Sequence, residues 1–150
     1  MTEEQRFLIS VLADHLSTQT SALPEDLKWQ ELFDLSEQHQ VSGIVYAQCK
    51  KPLFRHAYYG AIADYLKRKE ALALLERTLR DNDIDFFLVK GHVVAEYYPL
   101  PALRTMGDVD VVVHPEDRER VRDILLELGF TTDGVMGAFE WHFYYFESVV

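Results

Sequence analysis

Residues 1 to about 82 carry helical periodicity with no strand alternation, and from Ile84 the pattern changes to strand, helix, strand. A chain that changes period in this way is expected to pack helices on a mixed sheet, the α+β arrangement. A first helix is expected from Thr2 or Glu3, which cap it, to about Leu16, with Ser17–Ser21 as a loop. Pro24-Glu-Asp26 then predicts a second helix start, with proline in the first turn and acids at the positive helix end. Trp29, Leu32 and Phe33 give that helix an apolar face, and a short helical piece follows from about Val41 to Cys49. The clearest helix lies between Arg55 and Asn82, where Tyr58, Ile62, Tyr65, Leu72, Leu75 and Leu79 recur at helical spacing. Core packing accounts for that stripe better than a cofactor site does.

The second half opens with the apolar run Ile84-Asp-Phe-Phe-Leu-Val89, a strand candidate followed directly by Lys90-Gly91. His92–Tyr98 reads as a short helix stopped by Pro99. Gly107-Asp-Val-Asp-Val-Val-Val113 reads as a second, buried strand. Pro115-Glu-Asp117 opens a helix carrying Val121, Ile124, Leu125 and Leu128, and Gly129 ends it. Phe130–Thr132 and residues 140–147 are further strand candidates, joined by the glycine-bearing turn Asp133–Gly137. The expected whole is a helical region, residues 1–82, packed on a mixed-sheet core, residues 83–150, as one compact unit.

Asp108 and Asp110 carry the strongest chemical signal. Strand alternation would aim both carboxylates one way, and Val109, Val111 and Val113 the other. Two acids side by side at the head of an apolar strand repel each other and are costly to desolvate. A hard divalent cation, Mg²⁺ or Mn²⁺, relieves both problems by taking oxygen ligands. The competing explanation is a polar turn, Met106-Gly107-Asp108, with both aspartates solvated. Upstream, a strand turning at glycine into a helix offers backbone N–H groups to an anion, with Lys90 as a point charge and Gly91 allowing close approach. A plain strand-to-helix turn fits the same residues. Arg104, four residues before Asp108, has a planar fork suited to phosphate oxygens, or to a salt bridge with either aspartate.

The ordered set Phe87-Leu-Val-Lys-Gly-His-Val-Val-Ala-Glu-Tyr-Tyr-Pro99, Leu103-Arg-Thr-Met-Gly-Asp-Val-Asp-Val-Val-Val113, Pro115-Glu-Asp117 and Leu128-Gly-Phe130 resembles the uncharacterised nucleotidyltransferase family. That family belongs to the DNA polymerase β-like superfamily. The resemblance is close over about residues 84 to 142 and loose before that. It implies a nucleotidyltransferase core in which Lys90 and Gly91 hold the nucleotide phosphates, Arg104 contacts the triphosphate, and Asp108 and Asp110 bind the metal. The implied activity is Mg²⁺-dependent transfer of an NMP from an NTP to a hydroxyl of a small-molecule or protein acceptor. Two departures stand out. Gly91-His92 replaces the usual Gly-Gly or Gly-Ser, which removes a hydroxyl contact to phosphate. The third carboxylate that the family supplies from a later strand, near an Asp-x-His-Trp segment, has no match before Val150. The run Glu140–Glu147 looks like the strand before that one, with His142 in place, and Glu147 is the one late acid available to substitute. The sheet is therefore expected to be incomplete at the C-terminus, as in a fragment of a longer enzyme.

A length of 150 residues, 48% of them hydrophobic, supports one domain-sized core. No apolar run approaches the roughly 20 residues of a membrane span, and no signal-peptide pattern opens the chain. The single cysteine, Cys49, forms no internal disulfide and is expected to be a structural thiol, which favours the cytoplasm. A net charge of −10 argues against broad nucleic-acid binding. Lys50, Lys51 and Arg55, and Lys67-Arg68-Lys69, read as solvated faces, with a partner surface as the alternative. His92, His114 and His142 occur without zinc-type spacing, and the first two read as ordinary surface or hydrogen-bonded histidines. Two other function classes remain open: a non-catalytic nucleotide- or partner-binding module, and a metal-dependent glycosyltransferase, whose Asp-x-Asp pair holds Mn²⁺ and a nucleotide-sugar.

Overall fold

A computed structural model describes residues 1–20 and 22–131. The first helix, α1 (Glu3–Ser17), starts where its cap dictates. The Gln5 N–H donates to Thr2 Oγ1 at 3.3 Å, and the Thr2 N–H donates to Gln5 Oε1 at 2.9 Å. This reciprocal box satisfies two of the donors a helix start leaves over. The chain turns out of α1 at Thr18, whose φ of 55° is left-handed.

Helix α2 (Trp29–Gln38) begins later than the Pro24-Glu-Asp26 signal predicts. Residues 25 and 26 form a turn instead, and Leu27 is buried in the core ahead of the helix. Burying a leucine outweighs a favourable helix start worth a fraction of a kcal/mol. Helix α3 (Ser42–Cys49) follows, and the buried Ser36 and Ser42 hydroxyls satisfy each other at 2.7 Å across the α2–α3 turn. A 3₁₀ turn at Pro52–Phe54 leads into α4 (Arg55–Asp81), 27 residues long as its stripe predicts. All six stripe residues are buried or half-buried.

Beyond α4 come strand β1 (Phe86–Val89), the five-residue helix α5 (Gly91–Ala95), a 3₁₀ turn at Pro101–Leu103 and strand β2 (Asp110–Val113). A 3₁₀ turn at Pro115–Asp117 then opens α6 (Arg118–Glu127). Gly129, at φ 88°, takes the left-handed position after this helix, where a side chain would be strained. β1 and β2 pair antiparallel, with Phe86 opposite Val113 and Val89 opposite Asp110. The architecture is α+β, mostly helical, and among the described residues the sheet has these two strands. The expected strand at 140–147, with Glu147 and His142, lies outside the described residues. No described helix is long and apolar enough to cross a membrane.

Contacts divide the chain into two units that interleave along the sequence. The first comprises Met1–Arg68 and Lys90–Val109, and the second comprises Lys69–Val89 and the chain from Asp110 onward. The expected boundary at residue 82 follows the change of element type, whereas this division follows which backbone segments lie close in space. In the first unit, Phe7, Leu8, Val11, Leu32, Ile44, Val45, Phe54 and Leu103 form the core, with Trp29 and Phe33 against the Phe54 ring at 6.4 and 5.5 Å. Cys49 packs half-buried on that core, and burial pushes its thiol pKa up, as suits a structural thiol. In the second unit, Leu79, Ile84, Val121 and Leu125 form the core, with Phe86, Val111 and Val113 packed against it.

Candidate functional site

The turn after β1 is made by Lys90, not by the glycine. Lys90 has φ 55° and ψ −118°, a conformation rare for any side chain, while Gly91 is an ordinary first residue of α5. Such backbone costs on the order of 1–3 kcal/mol and persists only where the surroundings enforce it. The glycine is required for a different reason. A Cβ on Gly91 would lie 3.2 Å from Arg104 Nη1 and 3.4 Å from Met106 Sδ. The space that the missing side chain leaves is filled by those two residues, so Gly91 lets Arg104 come to the turn. α5 has only five residues, so its dipole adds little here.

Arg104 is half-buried, and among the described residues its guanidinium has neither an ion pair nor a hydrogen bond. The salt bridge to Asp108 or Asp110 considered from sequence is therefore not formed. The segment around Arg104 is pinned on both sides. Leu103 before it is buried in the first core. After it, Thr105 Oγ1 donates to the Gln40 carbonyl at 2.8 Å, and Arg68 Nη1 donates to the Met106 carbonyl at 2.8 Å. Arg68 therefore holds the loop that leads to Asp108, and is not part of a purely solvated face. Sequence gave no sign of this, because Arg68 and Met106 stand 38 residues apart.

Arg104 also lines a pocket of about 200 Å³ with His39, Val41, Ile44, Tyr98, Leu103 and Thr105. Behind it, the Tyr98 ring meets the His15 ring at 6.5 Å between centroids. His15 is buried with its Nε2 unpartnered, and burial holds its pKa below the usual imidazole value.

The strand at the aspartates is shorter than predicted. β2 begins at Asp110, and Asp108 lies in an irregular, exposed stretch ahead of it, so alternation does not orient Asp108. Asp110 is half-buried at the head of β2. Val111 and Val113 face the second core, which leaves Asp110 and Val112 on the other face with their partners Val89 and Phe87. Phe87 is 72% exposed and Val112 49%, so this face is open. The unit division falls between Val109 and Asp110. Among the described residues no three of His, Cys, Asp and Glu form a group that could hold a metal. The donor set does fit Mg²⁺, which is commonly held by one or two carboxylates plus substrate phosphate and water. His92 is half-buried in α5, and His114 is exposed with Nδ1 3.6 Å from a Glu116 carboxylate oxygen, in keeping with ordinary histidines.

Lys50 and Arg55 of the basic cluster are exposed and Lys51 is half-buried, and each lies near an aromatic ring. Lys50 Nζ lies 5.4 and 5.6 Å from the Tyr46 and Tyr58 ring centroids, Lys51 Nζ lies 4.4 Å from that of Trp29, and Arg55 lies 5.7 Å from that of Tyr59.

No curated protein and no solved structure matches this chain. A model of one family, described as uncharacterised nucleotidyltransferase, matches residues 25–149, which include every residue of the turn, the pocket and the aspartate pair. On that match over most of its length, the chain belongs to the uncharacterised nucleotidyltransferase family.

Proposed function

We propose that this protein transfers an NMP group from an NTP to a hydroxyl of a small-molecule or protein acceptor, with Mg²⁺ as the metal and Mn²⁺ as an alternative. The observation that carries this reading is the meeting of a half-buried Arg104, unpaired among the described residues, with the Lys90–Gly91 turn. Family membership supports nucleotidyl transfer as the general chemistry.

In the proposed mechanism, the polyphosphate lies along Lys90, Gly91 and the guanidinium of Arg104. Lys90 acts as a point charge, and Arg104 offers a planar fork to two oxygens at once. Asp108 and Asp110, two residues apart, have Cα atoms within about 7 Å of each other whatever the backbone between them. Their carboxylates would hold Mg²⁺, which when bound neutralises charge on the polyphosphate and on the departing pyrophosphate. The acceptor oxygen forms a bond to the α-phosphorus as the bridging bond to the β-phosphate breaks. The bonding pair leaves with pyrophosphate, and the hydroxyl proton passes to solvent. The residues named here act by positioning and charge compensation.

Thermal-shift titration with each NTP, with and without Mg²⁺, is the direct test, because a ligand that binds the folded state raises its melting temperature. Mg²⁺-dependent stabilisation by an NTP, lost in Asp108→Asn and Asp110→Asn, is the expected result. Labelled NTP incubated with cell extract then reports transfer. Binding with no labelled product would favour a nucleotide-binding module, and stabilisation by a UDP-sugar alone would favour a glycosyltransferase.

A further inference from the structure

We infer that the pocket beside Arg104 binds a phosphate monoester, and that it is the subsite for the phosphate group of a small phosphorylated acceptor. The pocket's place in a transfer reaction rests on the function proposed above, but its chemistry does not.

Three side chains on its wall carry donors that no described residue accepts: the Arg104 guanidinium, the Tyr98 hydroxyl and the His39 ring. Thr105 is committed to the Gln40 carbonyl and fixes the rim. The remaining walls, Val41, Ile44 and Leu103, are apolar. Among the described residues no carboxylate lines this pocket, although the chain has 25 Asp and Glu against 15 Lys and Arg. A donor-rich, acid-free pocket in so acidic a chain selects an anion.

The donor arrangement favours phosphate over carboxylate. An arginine fork satisfies two oxygens, and a planar carboxylate has no more to offer. A phosphate monoester presents a third oxygen to Tyr98 or His39. A volume of about 200 Å³ accommodates that group with a short carbon stem on the apolar wall. Arg104 touches both this pocket and the Gly91 turn, which would set an acceptor phosphate and a nucleotide polyphosphate on the two sides of one cation.

The test is calorimetric titration of the whole chain with inorganic phosphate and with glycerol 3-phosphate, both in EDTA, using succinate as the carboxylate control. Metal-independent binding of both phosphates is expected, with succinate at least about tenfold weaker. Arg104→Gln should weaken phosphate binding about tenfold or more, and Tyr98→Phe should weaken it several-fold while leaving the melting temperature near that of the wild type. The Asp108→Asn/Asp110→Asn double variant should bind phosphate unchanged. The same titration repeated with saturating Mg²⁺ and a non-hydrolysable NTP should show both ligands bound together. The inference is overturned if wild-type protein binds no phosphate, if both pocket variants bind as well as wild type, if succinate binds equally, or if nucleotide and phosphate compete. Phosphate binding that persists where no NTP binds would uphold the pocket and sink the nucleotidyl-transfer reading alone.

Discussion

Lys50, Lys51 and Arg55 lie over aromatic rings, whereas Arg104, in the same unit, lies over a glycine and beside a pocket. Both places carry positive charge, but among the described residues nothing answers that of Arg104. A cation on a ring face is partly compensated by the ring's quadrupole and remains open to water. A half-buried guanidinium that donates to no described residue has lost some hydration without a compensating partner, which favours the proposed contact with an external anion. The contrast supports looking to the position of a cation relative to its partners, more than to the local density of charge, for the proposed binding site.

The largest effect is expected at Arg104. Arg104→Ala should weaken Mg²⁺–NTP binding roughly 10- to 100-fold, the loss of about 1.5–3 kcal/mol expected of a charge-assisted contact. Lys51→Ala and Arg55→Ala should leave binding within about twofold. Isothermal titration of the three variants side by side measures this. An equal loss in Arg55→Ala would mean that the protein's general field, and not the Arg104 contact, attracts the nucleotide.

Lys90 sharpens the same contrast, because its backbone is strained where that of Arg55 is not. Lys90→Gly should relieve about 1–3 kcal/mol of strain and give back about 0.5–1 kcal/mol in unfolded-state entropy. The expected outcome is a net gain in stability on the order of 1 kcal/mol, accompanied by weaker nucleotide binding. Urea denaturation and nucleotide titration of one preparation would check both halves. A destabilised variant would show that the Lys90 side chain, and not the turn, holds this region together.

His15 extends the comparison to the residues behind the pocket. Its folded-state pKa is lowered by burial, so the unfolded chain takes up a proton first as pH falls below about 6.5. Stability is therefore full above that value and declines below it until the folded pKa is reached. His15→Leu removes both the titration and the unpartnered Nε2. Melting temperatures between pH 8 and pH 5 should fall less steeply in the variant. Parallel slopes would show that other groups dominate the acid limb.

Most of the helices were legible in the sequence because their signals are local. The α4 stripe repeats over 27 residues, and the α1 cap sits within four. α2 misled because burying Leu27 overrode a nearby start signal. β2 was read three residues too long, since Gly107-Asp-Val109 runs into the valines of the strand without being paired. Of the site, Lys90, Gly91 and Arg104 were visible as residue types in order. The strain on Lys90 was not visible, because it follows from how the surrounding chain is held. Tyr98 and His39 reach the pocket from separate segments, and Arg68 reaches Met106 across 38 residues. No periodicity records such meetings.

The smallest effect belongs to the charges already on rings. Lys51 Nζ stands 4.4 Å from the Trp29 ring centroid, the closest of the described cation–ring pairs, and Trp29 packs on the buried Phe54. Lys51→Gln keeps most of the aliphatic stem on the ring and removes only the charge. The expected loss of folding stability is therefore about 0.5–1 kcal/mol. Trp29→Leu, combined with it in a double-mutant cycle, isolates that coupling from the packing lost when the indole is removed. A coupling near zero would mean that Lys51 is simply solvated. Because Lys51 is half-buried, as Arg104 is, the glycine turn and the pocket beside Arg104 would then be what sets Arg104 apart.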